Sequence, residues 1–214
     1  MRSKFDQQLA ALNQELTEMG ATCAQAIGLA AQALEQQDVA LVAPVGQLEE
    51  QTNEQERTIE ALCLKLLLQQ QPVARDLRQI SAALKMITDM ERIGDQAEDI
   101  AEIVAFLDGR QAENDVLLKE MAKAVIQMVT ESVDAYVKCD IMLAKKVIAA
   151  DDVVDEQFAR VKQSLIGKIA ADPADGEYAL DLLMIAKYFE RIGDHACNIA
   201  EWVEYSLTGQ HGDM

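Results

Sequence analysis

The sequence predicts an all-α protein made of two homologous antiparallel three-helix bundles packed with pseudo-two-fold symmetry. Half of the 214 residues are hydrophobic but only 4% are aromatic, with 3 Pro and 10 Gly, a composition poor in strand-forming rings and in chain breakers. Apolar residues recur at three- and four-residue steps over long stretches, the period of one helix face. The chain also repeats itself. Residues 91–104 read ERIGDQAEDIAEIV and residues 190–203 read ERIGDHACNIAEWV, identical at 10 of 14 positions at an offset of 99.

Phe5, Leu9, Leu12, Leu16 and Met19 define one face of a first helix expected from Ser3, a possible N-cap, to Gln37. Asp38 is placed to cap a second helix ending near Gln70, with Pro44 and Gly46 expected to bend or interrupt it. A third begins just after Pro72, a residue suited to a first turn, and runs to Leu107 before Asp108-Gly109. The same order then returns: a helix over residues 113–138, one opened by Asp140 and closing near Ala170, and one from Gly176 to Leu207 after the break at Pro173. At an offset of 102, Asp38, Leu41, Val45, Glu49 and Asn53 correspond to Asp140, Leu143, Val147, Asp151 and Asp155. The three-residue change of offset falls in the connection to the third helix. Residues 1–108 and 109–214 are therefore expected to be two copies of one three-helix repeat.

With 19 Lys+Arg against 37 Asp+Glu, the net charge of −18 repels nucleic-acid phosphates and anionic lipid and favours metal cations or basic partner surfaces. Cys23, Cys63, Cys139 and Cys197 form no C-x-x-C pair. No apolar run approaches the roughly 20 residues that cross a bilayer, and the first residues lack the apolar core of a secretory signal. The expectation is a cytoplasmic protein with reduced thiols, binding no nucleic acid and not inserting in a membrane.

On a helical wheel with Glu91 at 0°, Asp95, Asp99, Glu98 and Glu102 fall between about −20° and 80°, opposite Met86, Ile93, Ala97, Ile100 and Val104 at about 180–240°. Glu190, Asp194, Asn198 and Glu201 repeat the acidic face. Glu49, Asn53, Glu56 and Glu60 line the second helix, and Asp151 and Asp155 take the corresponding places in the second copy. An acidic stripe opposite an apolar one is what any solvated helix shows. Here, however, like charges four residues apart, which repel, are stacked at the same places twice. Oxygen ligands from two adjacent helices can converge on a hard or borderline cation. Gly94 and Gly193, mid-helix, point to close helix crossings or to room beside the carboxylates. Arg92 and Arg191 are expected as salt-bridge partners and Met86, Met90 and Met184 as core. Arg75 and Arg78 are expected to pair with acids of their own helix. His195 corresponds to Gln96 in the other copy, which argues against a shared ligand role.

Glu91–Asp95 and Glu190–Asp194, the stretch QPVARDLR at residues 71–78, and the pairs Glu49/Asn53 and Asp151/Asp155 resemble the PhoU proteins of bacterial phosphate signalling, over residues 3–208. The resemblance implies a homodimer or higher oligomer that is not an enzyme. It would act as a negative regulator of phosphate uptake and of the phosphate-starvation response, coupling the ATPase of the phosphate ABC transporter to a sensor histidine kinase. It further implies a multinuclear metal site, iron or zinc or another divalent cation. The ligands carried over are Glu49, Asn53, Glu91, Asp95 and Asp99 in one copy and Asp151, Asp155, Glu190, Asp194 and Asn198 in the other. Two other classes compete. A di-iron bundle enzyme needs Glu three residues before His, and neither histidine has one. A metal-free acidic adaptor binding basic partners remains open. Catalytic residues are not expected, and neither is direct binding of free phosphate.

Overall fold

A computed structural model describes residues 2–70, 73–107 and 115–210. Six helices account for nearly all of them: α1 (Arg2–Gln36), α2 (Val42–Gln70), α3 (Ala74–Val104), α4 (Asp115–Lys138), α5 (Ile141–Ala171) and α6 (Gly176–Thr208).

The two hairpin turns are the same turn. Gln37 and Cys139, equivalent at the offset of 102, both adopt φ 53°, the left-handed conformation that closes a helix. In each, the next residue's amide reaches back five positions, Asp38 to the Ala33 carbonyl (3.1 Å) and Asp140 to that of Ala135 (2.9 Å). The aspartates then cap the next helical turn. Asp38 accepts from the Ala40 amide, and Asp140 from those of Met142 and Leu143.

Several expectations shift at the helix ends. Arg2 already lies within α1, so Ser3 is inside the helix and not its cap. Pro44 does not interrupt α2: a 3-10 turn over Val39–Leu41 precedes the helix, which starts at Val42. Pro44 is thus its third residue, where a missing N–H costs no intrahelical bond. α3 stops at Val104, and residues 105–107 continue with three-residue hydrogen bonds. Pro72, the Asp108-Gly109 break, the start at Glu113 and the repeat boundary at 108/109 lie outside the described residues.

α2 flanks α1 and α3, α5 flanks α4 and α6, and the halves join through α1 against α4 and α3 against α6. One continuous apolar core runs through both. Leu12, Leu16, Met19, Met86, Met90, Ile93, Ile100, Ile192, Ile199 and Val203 are all fully buried in it. Met184 lies on the outward side of α6, between half-buried Leu183 and buried Ile185, and at 45% exposed is not core. Arg78 does not pair within α3; its Nε donates to the Ser206 carbonyl (3.5 Å) at the far end of α6. Arg75 is exposed.

α3 and α6 pair by a near two-fold. The Tyr188 hydroxyl of α6 faces Asp99 of α3, and Asn198 Nδ2 of α6 donates to Asp89 Oδ1 of α3 at 3.2 Å. At the offset of 99, Asp99 is the counterpart of Asn198 and Asp89 of Tyr188. Each pair is therefore the symmetry image of the other with its residue types changed, the signature of a self-complementary contact.

Candidate functional site

The geometry of the acidic stripes starts from the glycines. A Cβ on Gly94 would stand 2.5 Å from Thr52 Oγ1, and one on Gly193 would stand 3.4 Å from Val154 Cγ1 and 3.3 Å from Asp151 Oδ1. Thr52 and Val154 are equivalent at the offset of 102. The missing side chains let α2 close on α3 and α5 on α6 at matching places, and carboxylates on either side of each crossing face one another.

In the first repeat this joins Glu49 and Glu56 of α2 to Glu91 of α3. Burial raises the Glu91 carboxyl above its ordinary range, and repulsion from Asp95, Glu56 and Glu49 adds to it, while Arg92 opposes. Glu98 is likewise raised, first by burial and then by Glu49. Asn53 donates from Nδ2 to Glu49 Oε1 at 2.5 Å. Arg92 Nη1 holds Asp95 at 3.0 Å and its Nε lies 3.4 Å from Glu91, the salt-bridge role expected of it. Asp99, raised by burial and by Glu102, leans to α6 and the Tyr188 hydroxyl. Glu60, a full turn beyond Glu56, is exposed and takes no part.

The second repeat brings Asp151 and Asp155 of α5 to Glu190 and Asp194 of α6. Burial pushes the Asp151 carboxyl up to about 6, reinforced by Asp194, Asp155 and Glu190. Asp194 is raised by burial and Glu190, with Lys187 opposing. Lys187 forms an ion pair with Glu190 and lies 5.5 Å from the Phe158 ring centre. The Cys197 thiol is raised to about 12 by burial and by Asp151. Asn198 is turned to Asp89, which His195 Nδ1 also meets at 2.8 Å. His195 thus serves the joint between α3 and α6.

Two features bear on whether these residues fit a metal. The donors are oxygens, with burial and then neighbouring carboxylates raising Glu91, Asp99, Asp151 and Asp194, and a lysine ammonium already sits against Glu190 as a stand-in cation; both suit a hard or borderline divalent ion. Yet among the described residues no group of three His, Cys, Asp or Glu converges as a ready-made ligand shell. Ligation would require Asp95 to exchange Arg92, and Glu190 to exchange Lys187. The set fits in kind and charge, with its ligands engaged elsewhere. Sequence reasoning missed Lys187, Asp89 and Tyr188. The spacing of Lys187 to Glu190 was a readable signal; the other two depend on how α3 meets α6.

Six helices in two repeats of the same order, each with carboxylates gathered at a glycine crossing, define a duplicated acidic helical-bundle protein. The family described as "PhoU domain" matches residues 16–104 and again 118–203, and the chain belongs to it. A protein of Clostridium acetobutylicum named "Phosphate-specific transport system accessory protein PhoU homolog" is 33% identical, covering 100% of this chain and 98% of its own. One of the same name from Pseudomonas aeruginosa is 33% identical over 96% of this chain and 86% of its own. The crystal structure of PhoU from Pseudomonas aeruginosa superposes with a TM-score of 0.91 at 33% identity, covering 96% of this chain and 100% of that one. The phosphate transport system regulatory protein PhoU from Streptococcus pneumoniae superposes at 0.89 and 25%, covering 98% and 100%.

Proposed function

We propose that this protein is a cytoplasmic, non-enzymatic, metal-binding regulator of phosphate uptake. It acts as a homodimer or higher oligomer that restrains the phosphate-starvation response, coupling the ATPase of the phosphate ABC transporter to its sensor histidine kinase. Support for the transport role comes from the names of the relatives. No helix among the described residues is long and apolar enough to cross a membrane, in keeping with an accessory role beside the transporter. The metal reading rests on one observation: at equivalent helix crossings in both repeats, carboxylates of neighbouring helices are brought together, so that one of them, Glu91 or Asp151, is raised by burial and by the acids facing it.

Glu49, Asn53, Glu91, Asp95 and Asp99 would hold metal in one repeat, and Asp151, Asp155, Glu190, Asp194 and Asn198 in the other. Iron or zinc would supply positive charge that offsets their repulsion. The chain's own part is to hold these groups on two helices whose spacing the glycines set. Asp99 and Asn198 each reach the opposite repeat, so ligation in one half pulls on a contact with the other.

Metal content measured after purification without chelator tests the metal reading, with stoichiometric iron or zinc expected. Capture of partners from phosphate-replete cells tests the coupling; recovery of neither the transporter ATPase nor a sensor kinase would contradict it. A metal-free acidic adaptor is the second reading, favoured by the lack of a preformed three-ligand group among the described residues. A protein isolated without metal, yet retaining those partners, would establish it.

A further inference from the structure

The two ends of the α3–α6 pair are symmetry images that carry opposite charges. At the offset of 99, Arg78 corresponds to Glu177, Ser206 to Leu107 and Tyr205 to Phe106. At one end Arg78 leaves α3, donates to the Ser206 carbonyl and packs its guanidinium over Gly209. A cation thus closes the C-terminal end of α6, where the helix dipole is negative. At the other end the equivalent residue is Glu177, and a cavity of about 460 Å³ opens there. Ala105, Phe106 and Leu107, just past the C-terminus of α3, and Glu177, Tyr178 and Asp181 of α6 line it.

Two carboxylates and one helix terminus of that cavity favour a cation, set against the positive dipole end at the start of α6 and the Lys168 ammonium. Glu177 and Asp181 stand four residues apart on one helix face, and burial and then Glu177 raise the Asp181 carboxyl. The α3 terminus adds its negative dipole end. Phe106 is 75% exposed at the rim. Tyr178 already has one cation beside it, with Lys168 Nζ 5.1 Å from the ring centre. We propose that this cavity receives the guanidinium of an arginine on a partner protein, in the position Arg78 occupies at the opposite end. Arginine suits it better than lysine, because a planar fork can meet two carboxylates while stacking on an aromatic ring. A net charge of −18 steers a basic partner surface to the protein. Metal at the acidic stripes is not required.

Methyl NMR of the full-length chain, labelled at alanine, tests this with the peptide acetyl-Gly-Arg-Gly-amide as probe and its citrulline analogue as the neutral isostere. Saturable shifts of the Ala105 methyl with the arginine peptide are expected, with affinity weaker by about tenfold or more for citrulline. The double variant Glu177→Gln with Asp181→Asn should lose binding by a similar factor. Glu177→Arg should abolish it by filling the cavity from within, with the methyl signals of buried Ala30 and Ala186 unmoved. No saturable shift, equal binding of the two peptides, or binding indifferent to the double variant would overturn the proposal. So would binding that emerges only in Arg110→Ala, which would make the occupant the chain's own arginine.

Discussion

The first and second acidic stripes share a backbone and differ in how their charge is balanced. At equivalent positions Thr88 becomes Lys187, Glu56 becomes Phe158, Glu98 becomes Cys197 and Asp99 becomes Asn198, while Asn53 becomes Asp155. The first repeat therefore gathers more carboxylates, with Arg92 on its outer side and a weak Thr88–Glu56 contact at 3.5 Å where the second has Lys187 over the Phe158 ring. The second has fewer acids and an ammonium of its own, seated against Glu190 and beside Phe158. Duplication kept the frame that brings carboxylates together and let the counter-cation vary. Where the chain supplies a lysine an external cation has less to do, so the first stripe is the stronger candidate for metal.

The comparison can be broken in several ways. The largest effect is expected from Asp95→Ala combined with Asp194→Ala, which should abolish stoichiometric metal binding by elemental analysis while far-ultraviolet circular dichroism stays helical. Retention of metal would remove both stripes as its site. Next comes Gly94→Ala, whose Cβ must displace the rigid, buried Thr52. A loss of about 1–3 kcal/mol in urea unfolding is expected from overpacking. Gly193→Ala meets only contacts of 3.3 Å and longer, and its gain in helix propensity of about 0.8–1 kcal/mol should leave it near neutral. Equal losses would mean that the two crossings are equally tight.

The joint between repeats gives a smaller effect. Tyr188→Phe removes the donor to Asp99, and a cost of about 1 kcal/mol in urea unfolding is expected. Asp89→Ala leaves both His195 and Asn198 without their acceptor and should cost more than Tyr188→Phe. The smallest effect concerns pH. A carboxyl raised to about 6 binds its proton more tightly in the folded state. Asp151 therefore weakens the metal-free fold above that pH, and the penalty fades as pH falls through 6 towards the ordinary carboxylate range. Asp151→Asn should raise the melting temperature at pH 8, by an amount that shrinks through this window and vanishes below it.

The legible parts of the fold share one physical cause, local periodicity. The repeat words, the capping aspartates Asp38 and Asp140 and the buried faces of α1, α3 and α6 arise from spacing along one chain segment, and all but Met184 appear where expected. The glycine crossings could be anticipated because the same residue stands at Gly94 and Gly193. What spacing could not reveal is what depends on how separate segments meet. Asp89 and Tyr188 look unrelated until α3 and α6 run antiparallel, and Arg78, with no acid three or four residues away on its own helix, closes another. Pro44 misled because a proline is disruptive only beyond the first turn, and the helix start, set by the 3-10 turn after Asp38, was not visible. The candidate ligands were located by residue type and stripe, but the partners that now hold them, Arg92 and Lys187 above all, decide what they can bind.

Calorimetric titration of the metal-free protein with zinc, carried out on the wild type and on the reciprocal exchanges Lys187→Thr and Thr88→Lys, tests the asymmetry most directly. Tighter binding in the first repeat is predicted, with the second strengthened by Lys187→Thr and the first weakened by Thr88→Lys, each by about tenfold. Failure of the wild type to bind zinc, or exchanges that leave both affinities unchanged, would contradict it.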